Sequence, residues 1–224
     1  MDTRASRTAA RVAAEFRLRP MIKTIFFDLG GTIIPFDFRR GYAAMAGLCG
    51  LPAEEIARRV DTTKLFVRFE LGQIEPRDFV RQICGLLGCE VSYEEFYELW
   101  GVIFLPDTLI PASLVENLAR NYQLFSLSNT NALHFPLVMR DYPLLGHFHG
   151  HVLSYEVGAM KPDPRIYEAA IARAGCPAEE CLFIDDLQTN VDGARRAGMD
   201  AIHFQSAGQL NSELSLRGIG NGVA

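Results

Sequence analysis

Three apolar runs in this sequence end on side chains that can do chemistry, and a fourth stretch supplies a cation. Asp28 follows "TIFF", Ser128 and Asn129 complete "YQLFSLSN", Asp185 and Asp186 follow "CLFI", and Lys161 stands in "KPDP". Each has an ordinary reading when taken alone. Asp28 ahead of Gly30 and Gly31 suits a turn, Ser-Asn suits a loop, and a lysine beside two prolines suits a solvated surface. The adjacent acids are harder to dismiss, because two carboxylates at the mouth of a core repel each other and a hard divalent cation relieves that repulsion. Taken together the four stretches offer a carboxylate nucleophile, a hydroxyl and an amide for phosphate oxygens, a lysine for charge, and acids for Mg2+. That set suffices for phosphoryl transfer.

The elements that must position these groups are legible as periodicity. The runs "IKTIFFD", "YQLFSLS", "HVLSYE", "CLFIDD" and "AIHF" are short and almost continuously apolar, as parallel strands covered on both faces require. Helices alternate with the later runs. Asp163 and Pro164 read as N-cap and first helical position of "PRIYEAAIARA", which stops at Gly175, and "NVDGARRA" stops at Gly198. This alternation predicts an α/β fold, a doubly wound, mainly parallel Rossmann-like sheet, whose ligands bind at the carboxyl ends of the strands.

Residues 37–109 hold no good strand and several amphipathic stretches. Ile56, Val60, Thr63 and Val67 share one helical face, and Phe79, Ile83, Leu86 and Leu87 another. Ser92 and Glu95 form a capping box ahead of Phe96, Leu99, Trp100 and Ile103. The expected organisation is a catalytic core of residues 21–36 and 110–216, a small helical cap at 37–109 inserted after the first strand, an N-terminal extension at 1–20 and a C-terminal tail at 217–224. The extension is Ala- and Arg-rich, Pro20 separates it from the first strand, and Met21 is a candidate initiator, so a disordered or non-native start is expected.

With 49% hydrophobic and 22% charged residues the chain is ordinary for a folded domain. The net charge of −5 contains the five arginines of residues 1–20, so the body is more acidic still, which argues against a nucleic-acid partner and calls for a cation if the substrate is an anion. No stretch has the roughly 18 to 20 apolar residues of a membrane span. Five cysteines without a C-x-x-C signal neither a disulfide framework nor a zinc knuckle and fit a reducing, cytoplasmic setting with the thiols buried. "DLGGTI" is not G-x-G-x-x-G, which excludes dinucleotide binding. His147, His149 and His151 alternate like a metal cluster, but Gly150 and a loop position predict solvated histidines, with His134 and His203 structural.

The order and spacing of "FFDLGGT", "FSLSNTN", "KPDP" and "FIDD" resemble the haloacid dehalogenase superfamily, with a helical cap at that family's usual insertion point. The wording "SNTNALHF", "SYEVGAMKPDP" and "IDDLQTNVDGARRAGM" is similar to the branch of sugar-phosphate phosphatases and the amino-terminal phosphatase domain of epoxide hydrolases. The resemblance covers about residues 22 to 206. It implies a Mg2+-dependent phosphatase of a small phosphorylated metabolite, such as a sugar phosphate, in which Asp28 forms an aspartyl phosphate and Lys161 pairs with it and with phosphoryl oxygens. It further implies that Ser128, the backbone of Asn129 and the amides of Leu29 and Gly30 hold the phosphoryl group. Mg2+ would take Asp28, the carbonyl of Gly30 and Asp186, with Asp185 as a further or outer ligand and Asn190 in support.

One position departs from the pattern. Gly30 stands where most phosphatases of the family carry a second Asp that protonates the leaving group, help worth about a hundred- to ten-thousand-fold. Water, the substrate or a cap residue could supply that proton, Glu70 in "RFELGQIEP" being one candidate, with Arg68 beside it as a substrate contact. Two alternatives stay open at this point: a non-catalytic or weakly active binding or regulatory protein of the same fold, and a 2-haloacid dehalogenase. Substrate identity and oligomeric state are not legible.

Overall fold

The computed structural model describes residues 21–220, so the N-terminal extension and the last four residues of the tail lie outside the described residues. Five parallel strands form one sheet: β1 (Thr24–Phe27), β2 (Gln123–Ser128), β3 (Gly150–Leu153), β4 (Cys181–Asp185) and β5 (Asp200–His203), in the order β3-β2-β1-β4-β5. β1 is central and fully buried. Ile25, Phe27, Leu182 and Ile184 face one apolar cluster, and Phe26, Cys181 and Phe183 face a second, which is why these runs carry no polar alternation.

Register decides where the chemistry goes. Thr24 lies opposite both Gln123 and Cys181, so β1, β2 and β4 run level and their carboxyl ends reach the same edge. The chain order reverses between β1 and β4, the switch point where open α/β sheets bind ligands. Asp28 continues the ladder by one rung, its N–H donating to the Ile184 carbonyl at 2.9 Å.

Between β1 and β2 stand α1 (Phe38–Cys49), α2 (Ala53–Asp61), α3 (Leu65–Glu70), α4 (Pro76–Leu87), α5 (Tyr93–Gly101) and α6 (Ala112–Ala119). Helices α1 to α5 have a hydrophobic cluster of their own, built on Met45, Ile56, Val60, Phe69, Phe79, Ile83, Leu87 and Phe96. Leu133, from the loop after β2, also joins that cluster. The two chains linking these helices to the sheet run side by side: the N–H of Asp37 donates to Ile103, and that of Leu105 to Pro35. The capping box forms, with Ser92 and Glu95 each accepting from the other's backbone N–H.

After β2 come α7 (His134–Asp141), α8 (Ser154–Val157), α9 (Pro164–Ala174), α10 (Gln188–Arg196) and α11 (Ala207–Leu216). Asp163 caps α9 by accepting from the Arg165 N–H, and Gly175 ends it in the left-handed region.

Local structure departs from the sequence reading at three places. "HVLSYE" is not all strand, because Ser154 turns inward to accept from the Thr130 N–H and starts α8. The stripe Ile56–Val67 is not one helix. The chain breaks after Asp61 and restarts at Leu65, leaving Val67 48% exposed. His151 is not a solvated loop residue but a half-buried member of β3, hydrogen-bonded to Ser126 at 2.9 Å, and Nδ1 of His149 accepts from the Leu124 N–H.

Phe79 is fully buried, stacks on Phe69 at 4.1 Å and meets the Trp100 ring edge-on at 5.3 Å. Phe79→Ala is expected to cost about 3–5 kcal/mol through lost burial and the cavity left behind, read as a fall in the urea midpoint of unfolding.

Candidate active site

Asp28, Lys161 and Asp185 meet at the carboxyl edge of β1 and β4. The Lys161 ammonium lies 2.8 Å from Asp28 Oδ1 and 2.7 Å from Asp185 Oδ2, and its side chain is 1% exposed. Burial works against the charge on Lys161, but the two carboxylates outweigh it and hold the ammonium above its ordinary range. Lys161 itself is held from behind. Its backbone N–H donates to Asn129 Oδ1 at 2.7 Å, and Asn129 Nδ2 donates back to the Lys161 carbonyl at 3.0 Å.

Asp185 is fully buried and its remaining valence is filled by the chain. It accepts from the Leu187 N–H at 2.8 Å and from Asn190 Nδ2 at 3.1 Å on each oxygen. Asp186 is half-buried, and its carbonyl faces His203 Nε2 at 2.8 Å. Gly31 makes the packing of the first loop against Asp186 possible: its φ is +77°, and a Cβ there would fall 2.3 Å from Asp186 Oδ2.

One oxygen from each of Asp28, Asp185 and Asp186 lies within 4.8 Å of the others. Octahedral Mg2+ with ligands at about 2.1 Å separates them by roughly 3 to 4.2 Å, so these hard donors fit that ion after small adjustments. The charges agree, because three carboxylates and one ammonium leave an excess that a divalent cation balances. Without a cation, burial and then the neighbouring acids, against the pull of Lys161, push Asp28 up to about 7, and burial with Asp185 raises Asp186.

Ser128 is buried and its hydroxyl makes no hydrogen bond among the described residues; with Leu29, Gly30 and Asn129 it lines a cavity of about 70 Å³. Phe36, Phe38, Phe104 and Phe135 supply its apolar wall. A side chain at Gly30 would be crowded, since a Cβ there would lie 2.9 Å from the Phe36 ring. The position is thus filled as well as missing an acid. Glu70 lines the same cavity, whereas Arg68 is exposed on α3 and does not. Across Phe38, Ile103 and His134 this cavity adjoins a larger one of about 320 Å³ inside the helical insertion, walled mainly by apolar side chains.

His134 ties the loop after β2 to the inserted helices. Asn131 Oδ1 accepts from the N–H groups of Leu133 and His134, so its Nδ2 donates to His134 Nδ1 and the Nε2–H donates to the Trp100 carbonyl at 3.2 Å. Burial keeps this imidazole neutral, down to about 3. Phe36 and Ser154 are the contributors that sequence reading missed. Neither carries a spacing signal, because each acts through a contact distant in the chain.

Residues 22–198 match the family described as haloacid dehalogenase-like hydrolase. The chain is 28% identical to D-ribitol-5-phosphate phosphatase of Bacteroides thetaiotaomicron over 88% of its length and 98% of that protein's. It is 31% identical to a phosphatase of Mycobacterium tuberculosis, covering 84% of this chain and 89% of the other. Among solved structures, a haloacid dehalogenase family enzyme of B. thetaiotaomicron in a magnesium complex superposes with a TM-score of 0.74 at 28% identity, covering 88% of this chain and 99% of that one. That enzyme has also been solved with magnesium and inorganic phosphate.

Glu70 gives the site a readable pH signature. Burial, then the charge of Asp28, pushes its carboxyl from 4.5 up to about 7. The neutral His134 is the other titratable residue that lines its cavity, and the charge of Asp28 reaches it from beyond that lining. A raised carboxyl contributes stability below pH about 4.5 and loses it as pH rises through about 7. Glu70→Gln is therefore expected to gain stability relative to the parent between pH 5 and pH 8, by on the order of 2 kcal/mol, read by calorimetry at the two pH values.

Proposed function

The chain belongs to the haloacid dehalogenase-like hydrolases, and we propose that within that family it is a Mg2+-dependent phosphatase of a small phosphorylated metabolite that works through an aspartyl phosphate. The observation that carries this reading is the Lys161 ammonium held between Asp28 and Asp185 at the sheet's edge, beside Asp186 and under a cavity lined by Ser128 and Asn129. The name of the D-ribitol-5-phosphate phosphatase supports the substrate class, a polyol phosphate being one member of it, and the second relative's name supports phosphatase activity.

In this reading Asp28 Oδ attacks phosphorus, the ester bond to the substrate oxygen breaks, and water later releases phosphate from the aspartyl phosphate. Lys161 opposes the burial that raises the Asp28 carboxyl and pairs with phosphoryl oxygens as charge moves onto them. The Ser128 hydroxyl and the backbone N–H groups of Leu29, Gly30 and Asn129 orient the phosphoryl group. Mg2+ would be held by Asp28, the Gly30 carbonyl and Asp186, with Asp185 behind them, and when bound it neutralises the anion during attack. Asn190 and Leu187 fix Asp185, and His203 holds the Asp186 backbone, so the ligands keep their places as charge changes. The helical insertion, residues 37–109, acts as the lid that excludes water and selects the organic part of the substrate.

A screen of phosphorylated metabolites with and without Mg2+, run beside Asp28→Asn, tests the assignment. Phosphate release is expected only with the metal and is expected to fall about 10³-fold or more in the variant. Equal rates for variant and parent would remove Asp28 from the role.

A further inference from the structure

Glu70 is a carboxylate that the fold buries without a partner. It is 9% exposed and has no hydrogen bond or ion pair among the described residues, yet it closes the helix that reaches from the insertion toward the sheet. It shares the small cavity with Leu29, Gly30, Ser128 and Asn129, the groups that the phosphatase reading assigns to the phosphoryl group, and it feels the charge of Asp28. Burying an acid unpaired lowers stability, so packing alone favours Gln or an apolar residue here.

The chain also presses Glu70 into that position. Two residues on, Gly72 has a φ of +67°, and a Cβ there would lie 2.1 Å from the Tyr155 carbonyl oxygen. Only glycine lets the Glu70–Gly72 turn lie this close to α8. At Gly30, also on the cavity lining, a Cβ would lie 2.9 Å from the Phe36 ring, so a side chain there meets that ring. The cavity thus lacks an acid at one wall and holds an unpaired one at another.

We propose that Glu70 is the general acid and base of the hydrolysis, a role that rests on the phosphatase reading above. As the Asp28 oxygen–phosphorus bond forms and the ester bond breaks, the Glu70 carboxylic acid gives its proton to the leaving oxygen, which departs as the alcohol. The resulting carboxylate then takes a proton from water as that water attacks phosphorus. The Asp28–phosphorus bond breaks, phosphate leaves and the acid is restored. Burial supports both halves of the cycle, because a carboxyl raised to about 7 is populated in both forms near neutrality.

The test uses the Mg2+-loaded parent, Glu70→Gln and Glu70→Asp with two probes, phenyl phosphate and 4-nitrophenyl phosphate, whose leaving groups differ in their need for a proton. In Glu70→Gln, kcat/KM for phenyl phosphate is expected to fall about 10²-fold or more and that for 4-nitrophenyl phosphate far less. With 4-nitrophenyl phosphate the variant is expected to release one equivalent of nitrophenolate in a burst and then turn over slowly, because the aspartyl phosphate accumulates. Glu70→Asp is expected to recover part of both effects, which also serves if the glutamine variant folds poorly. A purely structural role predicts equal losses on both probes with no burst, and that result, or unchanged rates, overturns the assignment. A parent that releases phosphate from neither probe nor any metabolite overturns the phosphatase reading and this role with it. An active parent with a probe-independent variant removes Glu70 alone.

Discussion

The arrangement depends on one buried ion cluster. Lys161 is inserted between Asp28 and Asp185 with almost no exposure, and the cost of dehydrating three charges is met by contacts of 2.7 to 2.8 Å and by donors from Asn190 and Leu187. Such clusters contribute little net stability, and removing one member leaves its partner charged and dry. The rest of the fold serves to hold it. Level register of three strands brings the acids together, Asn129 fixes the lysine from behind, and Gly31 lets the first loop pass Asp186.

In the proposed phosphatase, the excess negative charge of the cluster accounts for a divalent cation accompanying the phosphate. An anion approaching Asp28, Asp185 and Asp186 is repelled by more charge than Lys161 cancels, and a cation converts that repulsion into attraction. The net charge of −5 of the whole chain acts in the same direction. The local demand and the overall charge therefore point to the same requirement.

Much of this was legible because parallel strands buried on both faces are apolar until they end. Asp28, Ser128 and Asp185 stood out in the sequence because a run of buried residues stopped on each of them. Helix caps at Asp163 and Ser92 were equally plain, being local chemistry. What could not be read depended on contacts between distant segments. The break of α2 from α3 at Thr62–Lys64 has no glycine or proline to announce it, and the Phe36 ring over Gly30 results from the path of a loop. The pairing of His151 with Ser126 needed the register of β2 and β3, which no single strand reveals.

Gly30 and Glu70 illustrate a division of labour that the two cavities make physical. The core supplies groups whose positions must not change, on strand ends and the loops that continue them, and its cavity is only large enough for a small group. The insertion supplies Glu70, Phe38 and a broad apolar chamber, on helices tied to the core through two linkers, the His134–Trp100 hydrogen bond and the Gly72–Tyr155 contact. An acid at residue 30 would be present whether or not the insertion sat down. In the role proposed for Glu70, an acid on α3 makes proton transfer depend on the contacts that hold the insertion against the core. A proton donor on the insertion in place of the core thereby ties the proposed chemistry to those contacts, and one unpaired carboxyl stays buried.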